Sequence, residues 1–251
     1  MAEKEKLRIA AVADIHIRKN SQAPMAEMFA TATQSADVLL LCGDLTDYGD
    51  PDEARVLAKD ITTSLRIPAL GVLGNHDYES GRQDEIVKIL TDAGVTMLNG
   101  TSIEIEGVGF GGVKGFGGGF GRRALGAWGE EIIKQFVHET IEEALRLEAA
   151  LARLRTPSKI AVLHYSPIQA TVEGEPPEIM AFLGSTRLEE TADRYRVSTI
   201  FHGHAHHGTP EGRTKNGAAV YNVAMPLLKR KFPDQPPFRV VEVPIGEPVT
   251  T

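Results

Sequence analysis

Short aliphatic runs alternate with helical patterns over the first hundred residues, and this alternation restricts the fold more than any other feature of the chain. The aliphatic runs cover residues 7–13, 38–42, 69–73 and 95–98, and the helical patterns cover residues 24–36, 50–65 and 82–93. Strands that are joined through a helix pair in parallel, so the pattern predicts an α/β layered domain. The segment Asp50-Pro51-Asp52-Glu53 is typical of a helix start, with a capping Asp, a first-turn Pro and a Glu at the third position.

The second half of the chain adds a hairpin, a long helix and more strands. Residues 101–105 and 108–113 predict the hairpin, and apolar residues at helical spacing predict a helix over residues 129–154. Strands are predicted at residues 159–163, 199–202, 218–223 and 238–243, with a helix at 186–195. Because no repeat or linker divides the sequence, we predict a single domain over residues 1–251.

Composition and charge restrict the class of protein. With 42% hydrophobic and 24% charged residues, the chain of 251 residues is typical of a soluble globular protein. The net charge of −7 argues against a protein that coats nucleic acid through a broad basic face. We expect no membrane association, because no apolar run reaches the length of a membrane span.

The single cysteine and the amino terminus bear on the compartment. Cys42 has no partner for an intramolecular disulfide, which fits a reducing compartment. The charged start of the sequence lacks the apolar stretch of a signal peptide. We therefore expect a cytoplasmic protein.

Polar side chains follow the predicted strands at the points where the strands end. They are Asp14 and His16, Asp44, Asn75 and His76, His164, and His204 and His206. In α/β sheets, sites form beyond the carboxyl ends of the strands, so these segments are expected to meet at one rim. Seven of the eight histidines lie in or beside these segments, and imidazoles and short oxygen side chains favour divalent transition metals.

The ordered set of segments resembles the calcineurin-like metallophosphoesterase superfamily over residues 14–206. The matching blocks are Asp14-Ile15-His16, Gly43-Asp44, Gly74-Asn75-His76-Asp77, His164 and Gly203-His204-Ala205-His206. The resemblance implies a four-layer αββα sandwich with two mixed β-sheets. It also implies a centre of two transition metal ions (Mn, Fe or Zn).

The resemblance also implies a role for each residue. One metal would be held by Asp14, His16 and His206, the other by Asn75, His164 and His204, and Asp44 would bridge them. A hydroxide between the metals would attack the phosphorus in line.

Two further residues are expected to take part in the chemistry. By the same resemblance, His76 is predicted to be a catalyst rather than a ligand, either protonating the leaving oxygen or stabilising the charge of the transition state. Asp77 is predicted to orient His76.

Other polar residues have plainer interpretations. Asp47 could be a ligand, but a turn or a cap is the favoured interpretation. We expect His202 and His207 to lie beside the metals without binding them. His138 is expected to be a solvated helix residue, and Cys42 a buried small side chain.

Nine glycines occupy residues 107–121. A G-x-G-x-x-G match at residues 107–112 lies inside a strand pattern, which excludes a dinucleotide fingerprint. Residues 115–121 are predicted to form a mobile loop near the rim, with apolar contacts from Phe116, Phe120 and Trp128. The loop would either gate the substrate or merely connect to the long helix.

The basic residues are sparse. Arg122 and Arg123 could grip a phosphate, but solvation is the favoured interpretation. The same holds for Arg18, although its closeness to His16 favours phosphate binding more. The run Lys229-Arg230-Lys231 has too few charges to indicate nucleic acid or membrane binding.

These observations favour an enzyme that acts on a small phosphate-ester substrate, with phosphodiesters as the first choice by resemblance. The alternatives within the class are a phosphomonoesterase, a protein phosphatase, a nucleotide pyrophosphatase and a nuclease. A non-catalytic scaffold of the same fold is the alternative of another class, although no ligand position is lost. Nucleic acid is not the expected partner, and the oligomeric state stays open.

Overall fold

The computed structural model describes residues 4–22 and 24–246, which form eleven strands and six α-helices. The strands are β1 (Lys6–Val12), β2 (Val38–Cys42), β3 (Ala69–Val72), β4 (Val95–Met97), β5 (Thr101–Ile105), β6 (Val108–Gly112), β7 (Ser158–Val162), β8 (Thr199–His202), β9 (Glu211–Arg213), β10 (Ala219–Asn222) and β11 (Arg239–Pro244). The helices are α1 (Ala26–Ser35), α2 (Pro51–Ser64), α3 (Gln83–Asp92), α4 (Glu131–Ala152), α5 (Thr186–Arg194) and α6 (Met225–Lys231).

The strands form two mixed sheets. The first has the order β11-β1-β2-β3-β4, with β1 to β4 parallel and β11 antiparallel to β1. The second has the order β5-β6-β7-β8-β10-β9, parallel from β6 through β10 and antiparallel at both edges. The short strand β9 and helix α6 were not predicted from the sequence.

The side chains of β1 show why the sheets are stacked. Ala10 and Val12 pack with α1, α2 and α3, whereas Leu7, Ile9 and Ala11 pack in the core between the two sheets. Successive side chains of a strand point to opposite faces, so an entirely aliphatic strand must be covered on both sides. A third core joins α4 and α5 to the outer face of the second sheet. The predicted four-layer αββα sandwich is confirmed.

Helix α2 begins as predicted. The Asp50 side chain accepts from the main chain of Asp52, and the Glu53 carboxylate accepts from the main chain of Asp50, which completes a capping box. Glu53 also accepts from the N–H groups of Asp47 and Tyr48, at 3.1 and 2.9 Å. The buried glutamate therefore fixes the loop that precedes the helix as well as the helix end.

Two predictions about the chain outside the main elements are wrong. Residues 115–121 do not form a mobile rim loop, because most of them are buried against neighbouring segments. Trp128 does not contribute apolar contacts there, since its side chain is largely exposed. The run Lys229-Arg230-Lys231 forms the last turn of α6, where cations are favoured by the helix dipole.

The ends of the predicted single domain, residues 1 and 251, lie outside the described residues, and the single domain stays a prediction. Within residues 4–22 and 24–246, no helix has the length and apolar character needed to cross a membrane.

Candidate metal centre

The predicted site residues converge at one rim, where the carboxyl ends of both sheets meet. The N–H of His204, after β8 of the second sheet, donates to the carboxylate of Asp14, after β1 of the first, at 3.0 and 3.1 Å. The rim is thus assembled from both halves of the sandwich.

The backbone is unusual at four of these positions. Asp14, His16, Asp44 and His204 have φ angles of 55°, 45°, 50° and 69°. Residues other than glycine seldom adopt this left-handed region, and strained backbone of this kind concentrates at functional sites.

The first donor group consists of Asp14, His16 and His206, whose donor atoms lie within 4.8 Å of one another. His206 Nε2 is 3.0 Å from Asp14 Oδ1. Burial works against the charged form of Asp14, yet the His206 hydrogen bond and the nearby imidazoles hold its pKa at about 2. The same hydrogen bond raises the pKa of His206.

The second donor group consists of Asp44, His164 and His204, again within 4.8 Å. Asn75 belongs with it, because its side-chain oxygen lies 3.0 Å from His164 Nε2. Carboxylate, amide and imidazole donors are thus brought together, a set that suits first-row divalent metals.

Asp44 faces both donor groups. Its Oδ1 lies 3.4 Å from His164 Nε2, and its Oδ2 lies 3.8 Å from His16 Nε2. Burial, followed by the charges of Asp14 and Asp77, raises the pKa of Asp44 to about 9. Among the residues that the structure describes, the ionised Asp44 carboxylate therefore has no compensating positive charge nearby. A cation bound in either donor group would provide that charge.

The imidazole nitrogens provide a test of whether metals fit. His164 Nδ1 donates to the main-chain oxygen of Cys42 at 3.0 Å, so Nε2 directs a lone pair toward the oxygens of Asn75 and Asp44. Burial holds the pKa of His164 well below its usual value, which disfavours a proton there. Neither ring nitrogen of His16 has a hydrogen-bond partner among the described residues. A lone pair facing oxygens and two unpartnered buried nitrogens fit bound cations.

His204 is oriented by the segment that precedes α5. Its Nε2 donates to the main-chain oxygen of Phe182 at 3.1 Å. A carbonyl oxygen can only accept, so Nδ1 is left as the electron-pair donor of the neutral ring. Such a hydrogen bond fixes both the tautomer and the angle of a metal-ligating histidine.

His76 and Asp47 lie beside His16, and the main-chain N–H of His76 donates to Asp44 Oδ1 at 2.8 Å. The His76 and His16 rings meet edge to face, with centroids 4.6 Å apart. The Asp47 carboxylate lies 3.4 Å from His16 Nδ1 and accepts from Arg18 Nε at 2.7 Å. His16, Asp47 and His76 form a third group of potential ligands within 4.8 Å.

The Asp47 carboxylate thus contacts His16 and Arg18 instead of capping a turn, and its place in this group favours the alternative that Asp47 is a ligand. The one signal in the sequence was its position three residues after Asp44, on the same loop. Arg18 is more than a solvated residue, because it is ion-paired to Asp47 at the rim.

The contacts of Asp77 differ from the prediction that it orients His76. Its buried carboxylate accepts from the main-chain N–H groups of Gly74, Leu45 and Thr46 and from the Thr46 hydroxyl, at 2.6 to 3.2 Å. Asp77 thus ties the loop after β3 to the loop after β2. The His76 ring is instead held by the main-chain oxygen of Asp47 at 2.8 Å.

The remaining histidines and Cys42 occupy the surroundings of the rim. His202 is fully buried, and its Nε2 lies 2.8 Å from the Thr171 hydroxyl, beneath the donor groups rather than among them. His207 is exposed, and its N–H donates to Glu175. Cys42 is buried, and its main-chain oxygen holds His164. His138 lies exposed on α4, far along the chain from the rim segments.

Asn222 was not singled out in the sequence. Its side-chain amide donates to the main-chain oxygens of Thr171 and Ala205, at 3.2 and 2.8 Å. It therefore supports the turn that carries His204 and His206.

Two glycines at the rim are required by close approach. A Cβ atom on Gly43 would come within 2.5 Å of His164 Nδ1, and one on Gly74 would collide with the side chain and N–H of Asp44. The glycines of separate sequence motifs thus make room for donors that come from other motifs.

An αββα sandwich that carries histidine, aspartate and asparagine donors at the carboxyl ends of its strands has the architecture of a metallophosphoesterase. A family model described as calcineurin-like phosphoesterase matches residues 7–208, and the chain belongs to that family. The resemblance seen in the sequence is confirmed, and the protein is a phosphoric ester hydrolase of a metal-dependent family.

Solved structures share the fold. The phosphopantetheinyl hydrolase of Mycobacterium tuberculosis is 16% identical, with a TM-score of 0.65, over 94% of this chain and 96% of that one. The protein TT1561 of Thermus thermophilus is 14% identical, with a TM-score of 0.51, over 96% and 99% of the two chains. No curated protein sequence matches the chain.

Proposed function

We propose that the protein is a binuclear metal-dependent phosphodiesterase that acts on a small phosphate ester. The observation that carries the proposal is Asp44, whose two oxygens face separate donor groups 3.4 and 3.8 Å away. A carboxylate shared in this way is suited to holding two cations side by side.

Different residues of the chain would hold the two metals. Asp14, His16 and His206 would hold one metal, Asn75, His164 and His204 the other, and Asp44 both. Bound Mn, Fe or Zn ions would polarise the phosphoryl oxygens and lower the pKa of water. The Phe182 carbonyl sets the tautomer of His204, which leaves Nδ1 of that ring free to bind a metal.

His76 would manage the proton of the leaving group. Its Nδ1 is occupied by the main-chain oxygen of Asp47, so Nε2 is the nitrogen free to hold a proton and pass it to the departing oxygen. The ring is 38% exposed, so a substrate can reach it. Asp77 would act at a distance by fixing the two loops that carry Asp44 and His76.

Arg18 supports a diester rather than a monoester. Its guanidinium is paired with the Asp47 carboxylate, so its charge is already balanced at the rim. A monoester brings a second negative charge that would need a further cation, whereas a diester brings only one.

The test compares bis(p-nitrophenyl) phosphate with p-nitrophenyl phosphate, each with and without Mn²⁺, alongside the metal content per chain. We expect about two metals per chain, Mn²⁺-dependent hydrolysis, and a higher kcat/KM for the diester. A higher kcat/KM for the monoester would overturn the diester assignment. Bound metal without hydrolysis of either ester would favour the non-catalytic scaffold.

A further inference from the structure

An open groove lies against one residue of each donor group, His206 of the first and His204 of the second. It encloses about 380 Å³ and is bounded by His204 and His206 on one side and by Ile179, Phe182 and Leu183 on the other. Small-molecule sites generally enclose about 300–1,000 Å³. Ile179, Phe182 and Leu183 form an apolar wall of the groove. The candidate metal ligands and this wall share one concavity, of a size that suits a single organic group.

The wall holds its aromatic face in a defined position. The Phe182 side chain is 55% exposed, and its ring meets the edge of Phe136 with centroids 5.8 Å apart. Its main-chain oxygen accepts from His204 Nε2. The same residue thus anchors a candidate metal ligand and offers an apolar surface beside it.

The glycine-rich segment explains why the wall lies so close to the rim. The N–H groups of Gly118 and Gly119 donate to the main-chain oxygens of Ala181 and Gly184, at 2.7 and 2.8 Å. A Cβ atom on Gly117 would come within 2.8 Å of the Ala181 oxygen. Residues 117–119 therefore hold the wall in place through main-chain contacts. This role replaces the substrate gate that was one of the two predictions for this segment.

The charges around the groove restrict what it can hold. Among the described residues, no lysine or arginine lines it. The Glu175 carboxylate at its edge accepts from the N–H of His207 at 2.6 Å. Arg230 donates to the main-chain oxygen of His206, but it does not line the groove. A polyanionic group would gain no ion pair here and would meet a carboxylate.

We propose that this groove binds the organic group of the phosphate ester, and that Phe182 and Ile179 select esters whose organic group is uncharged and apolar, such as an aryl or branched alkyl group. The inference rests on the proposed function, because the phosphate would lie at the metal centre while the organic group lies on the wall. Apolar surface buried on the wall stabilises the complex in proportion to its area.

The first test measures binding without turnover. Phenylphosphonate and methylphosphonate are titrated by calorimetry into the metal-loaded protein and into its Phe182→Ala, Ile179→Ala and Ile132→Ala variants. Ile132 is a matched control, because it is an exposed isoleucine on α4 that does not line the groove. We expect the wild type to bind phenylphosphonate about tenfold more tightly than methylphosphonate, on the basis of the buried ring area.

The ratio of the affinity for phenylphosphonate to the affinity for methylphosphonate should fall toward one in Phe182→Ala. It should fall partly in Ile179→Ala and stay unchanged in Ile132→Ala. A ratio near one in the wild type, or an unchanged ratio in Phe182→Ala and Ile179→Ala, would overturn the inference. Far-ultraviolet circular dichroism confirms that each variant is folded before it is titrated.

The second test compares kcat/KM for phenyl p-nitrophenyl phosphate and methyl p-nitrophenyl phosphate in the same four proteins. We expect the phenyl-to-methyl ratio to fall about tenfold in Phe182→Ala. If both esters are hydrolysed without a phenyl preference, the groove assignment fails while the proposed function stands. If neither is hydrolysed but phenylphosphonate still binds preferentially, the proposed function fails while the groove assignment stands.

Discussion

The Nδ1 atom of His76 lies 2.8 Å from the main-chain oxygen of Asp47. Since that oxygen can only accept, Nδ1 carries a proton and Nε2 is the nitrogen available for chemistry. The Asp47 loop is itself held by Glu53, whose carboxylate accepts from the Asp47 N–H at 3.1 Å. The orientation of the proposed proton donor therefore depends on the capping box of α2.

Replacement of His76 distinguishes a catalyst from a ligand. We expect His76→Ala to reduce kcat by about 10²- to 10⁴-fold, because a positioned proton donor is lost, with the metal content unchanged. Metals per chain are measured by mass spectrometry, and turnover with the chromogenic diester. His138→Ala, an exposed histidine on α4, should alter neither. Loss of one metal in His76→Ala would instead assign His76 to the group that it forms with His16 and Asp47.

Asp44 should couple the two metals. We expect Asp44→Asn to weaken the binding of both Mn²⁺ ions by at least tenfold, because the amide has one oxygen and no charge to share between the donor groups. Asp14→Asn should weaken mainly one ion, since Asp14 belongs to one group. Calorimetric titration of metal-free protein with Mn²⁺ gives both affinities.

Asp92→Asn, on the exposed face of α3, is the control and should bind both ions normally. If Asp44→Asn kept one ion at wild-type affinity, the shared position of Asp44 would be refuted.

Gly74 should be intolerant of a methyl group. A Cβ atom there would collide with Asp44, so we expect Gly74→Ala to destabilise the fold by about 1–3 kcal/mol and to weaken Mn²⁺ binding. Urea unfolding and calorimetry measure the two effects. Gly126→Ala is the control, because its Cβ would meet only the Trp128 ring, at 3.3 Å, away from the rim. Wild-type Mn²⁺ affinity in Gly74→Ala would show that the Asp44 position tolerates displacement.

Local patterns were sufficient to predict most of the strands and helices, whereas the stacking of two mixed sheets was predicted only through the family resemblance. Strands β2, β5 and β8 have the predicted bounds, and the other predicted strands and helices differ at their ends by at most two residues. Aliphatic runs that are buried on both faces leave few alternatives to a strand. The capping box leaves few alternatives for the start of α2. The three-residue strand β9 was missed because its sequence, Glu211-Gly212-Arg213, has no apolar alternation.

The site was predictable to the extent that its residues follow strands directly. Asp14 and Asp44 occur at strand ends, which any parallel sheet gathers at one rim. The hydrogen bonds that hold the site residues in place were not predictable, because they join residues far apart in sequence. The Asp77 carboxylate binds a loop some thirty residues earlier, and the Phe182 carbonyl holds His204 across 22 residues. Neither partner follows from composition or periodicity.

The pair of Asp37 and Arg8 should make stability depend on acid pH. Asp37 accepts from the N–H of Arg8 at 2.8 Å and from its guanidinium at 2.9 Å, and Lys4 lies 3.1 Å away. Partial burial opposes ionisation, but these contacts outweigh it and lower the pKa of Asp37 to about 2. The ordinary value in an unfolded chain is about 3.9. Because the folded value is the lower one, the stabilisation is complete above about pH 4 and is lost as the pH falls toward 2.

We therefore expect Asp37→Asn to cost about 1 kcal/mol of unfolding free energy at pH 7, a value reduced from the full linkage because the Arg8 side chain is 44% exposed. Near pH 2 most of this cost should be lost, since Asp37 is then about half protonated in the folded wild type and almost fully protonated in the unfolded chain. Urea unfolding of the metal-free wild type and variant at both pH values measures the difference. Asp92→Asn, which removes an exposed ion pair with Lys88, should show a smaller cost at pH 7. An equal cost of Asp37→Asn at pH 7 and near pH 2 would mean that the charge of Asp37 does not stabilise the fold.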